Sequence, residues 1–103
     1  MPIRALDHIA ITCADVDATL DFYKRVLGAT TLYEAEWRAG KIPVVILQVG
    51  GSRMSIHSAA APAKPHARVP MPGSEDVCFR FDGPIEEAVA LLERHRVEIV
   101  DGP

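Results

Sequence analysis

A strand–helix pattern occurs twice in this chain, and that repetition narrows the available folds more than any single motif does. The first pass opens at Leu6-Asp7-His8-Ile9-Ala10-Ile11-Thr12, runs through a helical stretch to Val26-Leu27-Gly28, and ends in strands. The second opens at Ser74-Glu75-Asp76-Val77-Cys78-Phe79-Arg80-Phe81, runs through another helical stretch to Leu91-Leu92, and reaches Val97-Glu98-Ile99-Val100. The expected architecture is therefore α+β, with a strand–helix–strand–strand–strand unit used twice. The first unit is expected over residues 1–58 and an Ala/Pro-rich linker over 59–74, and 75–103 would form a second unit two strands short of the first.

Local patterns place the elements. Residues 6–12 alternate, with His8, Ala10 and Thr12 on one face and Ile9 and Ile11 on the other, as in a half-buried strand. Asp15 or Asp17 can cap the following helix. Leu20, Tyr23 and Leu27 recur along it, and Gly28 stands where a left-handed terminal residue is needed. Thr30–Arg38, rich in β-branched and aromatic residues, reads as a second strand that ends in the turn Ala39-Gly40-Lys41. Strands over 42–49 and 53–57 are joined by Gly50-Gly51, a hairpin signal. Four prolines and three successive alanines make 58–74 an extended connection. In the second pass Val77, Phe79 and Phe81 alternate with Asp76, Cys78 and Arg80, and Pro84 opens a helix with an Ile85, Ala88, Val89 and Leu92 stripe.

Composition removes several classes. A net charge of −3 and a pI near 5.7 leave no basic stripe for nucleic acid. Lys24-Arg25 reads as a solvated helix face. No apolar run approaches the roughly 18 residues of a membrane span, and no charged-then-apolar leader opens the chain, so a cytoplasmic location is expected. Cys13 and Cys78 read as two separate thiols rather than a disulfide.

Chemistry centres on two strand histidines. His8 starts the first strand and His57 ends the fourth; in one curved sheet both would face its concave side. Imidazole is a common metal ligand, and superposing the passes puts Asp76 where His8 stands. Each also has a structural reading: a hydrogen-bonded strand histidine, or an aspartate starting a strand. His66, in the proline-rich linker, and His95, near the C-terminal end of a helix, read as solvated or dipole-stabilised. Arg53 and Arg80 can hold an anionic group or pair with surface carboxylates, and Tyr33 and Trp37 can line a pocket or fill the core.

Taken in order, Asp7-His8-Ile9-Ala10-Ile11, Phe22-Tyr23-Lys24-Arg25-Val26-Leu27-Gly28, the Gly50-Gly51 hairpin ending at His57, and Pro72-Gly73-Ser74 before the second pass resemble the vicinal oxygen chelate superfamily. The likeness is to its small glyoxalase and bleomycin-resistance-like members, a superfamily that also holds extradiol dioxygenases. It implies paired βαβββ modules with curved mixed sheets and one outer helix each, enclosing a cupped site, often in a homodimer or higher oligomer. It also implies a divalent metal (Zn, Ni, Mn, Fe or Mg) on His8, His57 and Asp76, acting as Lewis acid on neighbouring substrate oxygens. Arg53, Tyr33, Trp37 and Arg80 would contact substrate. Glyoxalase-type members commonly carry histidine at the position of Asp76. Their fourth ligand, a glutamate on the final strand, has no counterpart before Pro103.

Three functions follow. The first is a metal-dependent lyase, isomerase or dioxygenase acting on a small molecule with vicinal oxygens. The second is a metal-free protein that sequesters an antibiotic-type compound. The third is a shortened interaction module. Neither a nucleic acid nor a membrane is an expected partner.

Overall fold

The computed structural model describes residues 2–102. Its elements are β1 (Ile9–Cys13), α1 (Val16–Leu27), β2 (Thr30–Leu32), α2 (Glu34–Arg38), β3 (Val45–Val49), β4 (Ser52–Ser58) and α3 (Ile85–Arg94). The four strands form one mixed sheet in the order β1-β4-β3-β2. β1 runs parallel to β4, whereas the β2–β3 and β3–β4 pairs are antiparallel. The α+β class and the β-α-β-β-β order of the first pass are present, with the short α2 added.

The ends of α1 follow from its sequence. Asp15 is its N-cap and accepts a hydrogen bond from the Ala18 amide at 3.0 Å. Gly28 closes it at φ 65°, a conformation any side chain would strain. Ile11, Cys13, Leu20, Val45, Leu47, Met54 and Ile56 form the buried core between α1 and one sheet face. The opposite face carries Ala10, Thr12, Ser55 and His57. Gly50, at φ 56°, makes the turn that joins β3 to β4.

Two expectations fail. The single strand over 30–38 divides into β2 and the helix α2, with Tyr33 between them in the left-handed region at φ 65°. Glu-Ala-Glu-Trp-Arg favours helix. Glu34 secures that turn by accepting from Lys24 Nζ at 2.6 Å, Thr31 Oγ1 at 2.8 Å and Arg38 Nε at 2.9 Å. Tyr33 and Trp37 are accordingly not strand neighbours.

The second pass forms its helix but no sheet among the described residues; 77–81 and 97–100 pair with nothing. Alternation alone does not make a strand, because the ladder requires a partner. In the first pass β1 obtains that partner from β4, and no equivalent element follows α3 among the described residues. The second pass is held instead by Val77 packing on the core and by Phe79 meeting Tyr23 edge-on at 6.1 Å.

Candidate functional site

Sheet register determines which side chains share the face opposite the core. Thr12 pairs with His57 and Ala10 with Ser55, and paired positions point to the same side. His8, one step before the paired residues, falls level with Arg53. His8 and His57 therefore occupy one face, as the alternation predicts, but four positions apart. At about 3.3 Å per residue this is roughly 13 Å of strand.

The two histidines have different surroundings. His57 is 6% exposed, and its buried Nδ1 has no hydrogen-bond partner. Burial pushes its pKa below the ordinary histidine value, and the charges of nearby His66 and, least of all, the more distant His8 act in the same direction. The Ala63 carbonyl beside the ring opposes them. The Ala59 amide extends the β1–β4 ladder by bonding the Cys13 carbonyl at 2.9 Å, and the chain then folds back to bring buried Ala63 beside the His57 ring. His8 is half exposed. Its Nδ1 lies 2.8 Å from Asp7 Oδ1, an orientation that leaves Nε2 for a ligand. The His8 hydrogen bond and charge lower the Asp7 pKa, with a smaller contribution from Arg53.

His8 and Asp76 line one cleft of about 320 Å³, together with Arg53, Met54, Val77 and Phe79. This joins the openings of the two passes, as their superposition suggests. His57 does not line it, and neither do Tyr33, Trp37 or Arg80. Tyr33 is 60% exposed at the β2–α2 corner. Trp37 packs against the core with the Arg38 guanidinium 5.1 Å above its ring. Arg80 faces a separate groove beside Leu27 and Leu92.

Among the described residues, no three His, Cys, Asp or Glu side chains gather where they could hold one metal ion. The buried Nδ1 of His57 has no hydrogen-bond partner, and the cleft brings together His8 and Asp76 alone of the three expected ligands. These residues do not by themselves fit the three-ligand open site that metal catalysis uses.

Sequence reading missed Glu75. Its Oε1 accepts from the Thr12 amide at 2.8 Å, binding the second pass to the outer edge of β1. Because β1 pairs on one side only, that amide would otherwise be left without a partner. No pattern in the sequence marks such a long-range side-chain contact.

The Glyoxalase/Bleomycin resistance protein/Dioxygenase superfamily profile matches residues 5–103. The chain belongs to this superfamily. The glyoxalase domain-containing protein RDO1 of Mycosarcoma maydis is 36% identical over 103 residues, which are all of this chain and 54% of that protein. Virulence protein STM3117 of Salmonella typhimurium is 31% identical over the same length, 67% of that protein. The crystal structure of STM3117 superposes with a TM-score of 0.87 at 30% identity, covering all of this chain and 77% of that one. A lactoylglutathione lyase from Agrobacterium tumefaciens shares the fold, with a TM-score of 0.69 at 20% identity over 98% of this chain and 77% of that one. The chain thus spans about half the length of RDO1 and two thirds of STM3117. No helix of this glyoxalase-superfamily chain, among the described residues, is long and apolar enough to cross a membrane.

Proposed function

We propose that this glyoxalase-superfamily chain binds a small molecule with neighbouring oxygen atoms in the cleft of His8, Arg53 and Asp76. The observation that carries the reading is the Asp7–His8 pair that lines that cleft. Asp7 orients the ring through Nδ1, so Nε2 is free to hydrogen-bond a ligand oxygen or exchange a proton with it. Arg53 adds a positive charge to the same cleft, and Asp76 is an acceptor that also lines it.

Metal-dependent turnover, as lyase, isomerase or dioxygenase, is the finer reading. It rests on the family and on the donor chemistry of His8 and Asp76, with His57 as the further expected ligand. Since these side chains do not converge on one point, no catalytic step is assigned to a metal.

An NMR titration with catechol, a neutral vicinal diol, tests the site, using the intact chain with and without Mn²⁺. Catechol should shift signals of residues 7–10 and 52–54 saturably, and His8→Ala should abolish the shifts. Shifts that are absent, or unchanged in His8→Ala, would overturn the site. Mn²⁺ broadening centred on His8 and Asp76 supports metal dependence. Catechol binding that persists unchanged in EDTA points instead to metal-free sequestration.

A further inference from the structure

The sheet register assembles a row of polar side chains that no sequence motif displays. Thr30 on β2 pairs with Gln48 on β3, Gln48 pairs with Arg53 on β4, and His8 lies level with Arg53 just before β1. Paired positions share a face, so one residue from or beside each strand contributes to a single line across the face opposite the core. A hydroxyl, a carboxamide, a guanidinium and an imidazole succeed one another, with no carboxylate among the four.

The next row has a different character. Leu32, Ile46, Ser55 and Ala10 continue it in register, three of them apolar. Beyond lie Thr12 and His57, both buried at the end where the chain folds back. The polar row therefore marks the open end of the face. Among the described residues, the side chains of Thr30, Gln48 and Arg53 make no hydrogen bond to protein, and Arg53 forms no ion pair. Two carboxylates share its clefts: Asp7, bonded to His8, lines both, and Asp76 lines the first. A second cleft of about 310 Å³ adjoins the first, shares Arg53, Asp7 and Gly51 with it, and adds Arg4. Two guanidiniums thus flank the β3–β4 turn in a chain whose net charge is −3.

We propose that this row is an oxyanion subsite: Arg53 binds a carboxylate or phosphate group of the ligand, with Gln48 and Thr30 donating beside it and Arg4 at the rim. An unpaired guanidinium offers two parallel N–H donors, which match a carboxylate or phosphate edge bidentately. Gln48 beside Arg53, and Thr30 beyond Gln48, add neutral donors on the side away from His8. The inference rests on the proposed small-molecule site and specifies its ligands as anionic.

The test is an NMR titration of the intact chain with sodium acetate and, separately, inorganic phosphate, with acetamide as neutral control. Saturable shifts at residues 30, 48 and 53 are expected with at least one anion and absent with acetamide. Arg53→Gln should weaken anion binding tenfold or more, Arg53→Lys less, and Gln48→Leu a fewfold. Arg94→Gln, on α3, should change nothing. Acetate and phosphate affinities then distinguish a carboxylate ligand from a phosphorylated one.

Anion shifts that are absent, or that survive in folded Arg53→Gln with unchanged affinity, would overturn the subsite. If catechol still binds through His8 in that case, the small-molecule site stands and only the anionic specificity falls. Anion binding that is lost in Arg53→Gln but kept in His8→Ala supports the subsite even where the catechol test has failed.

Discussion

At Glu34 a single carboxylate accepts from Lys24 of α1, Thr31 of β2 and Arg38 of its own helix. These hydrogen bonds lower its pKa from 4.5 to about 2, the Lys24 bond contributing most. Because the folded value lies below the unfolded one, the stabilisation is complete above about pH 4.5 and is lost as the pH falls toward 2. Screening at the half-exposed partners reduces it to about 1 kcal/mol. Urea denaturation at pH 6 should show Glu34→Gln less stable by about that amount, with the gap to wild type closing near pH 2. A constant gap across this range would show that the carboxylate charge contributes nothing. The same residue explains the mistaken strand over 30–38. Thr30, Thr31, Leu32, Tyr33 and Trp37 resemble strand by type, whereas the bonds that favour helix reach Glu34 from ten residues upstream.

Among the elements, β1 depends most on distant sequence. It is an edge strand, and its Thr12 amide is satisfied by Glu75 rather than by another strand. Glu75→Ala should speed hydrogen exchange of the Thr12 amide about tenfold or more, while amides of 45–49 keep their protection. Equal protection of Thr12 in both proteins would show that the contact does not hold the edge. The caps of α1 and the hairpin at Gly50-Gly51 were readable because each depends on neighbours within four residues. The alternation of β1 and β4 was readable as well, and it placed His8 and His57 on one face. Their separation along that face was not, because it depends on which residues of two remote strands are paired.

At the scale of the whole molecule the two passes differ in completeness. The first buries Leu20, Val45, Leu47 and Ile56 almost fully, whereas no residue of α3 is buried, and Phe79, Phe81 and Ile85 remain exposed. Local stability should follow this division. Hydrogen exchange measured by mass spectrometry should show 77–81 exchanging quickly and β3 and β4 slowly. Slow exchange over 77–81 would mean that this segment is paired in solution. The family could be read from the order of short patterns along the chain, since each pattern is local and survives without its tertiary setting.

The sequence alone determined the α+β class, the glycine that ends α1 and the face assignment of His8, His57 and Arg53. These depend on periodicity and on short-range hydrogen bonding. Only the tertiary structure decided that His8 meets Asp76 while His57 lies apart, that Glu75 closes the β1 edge, and that Thr30 and Gln48 join Arg53 in one row. Register between strands decides each of these, and register is set by the packing of the whole sheet against α1 rather than by any one segment.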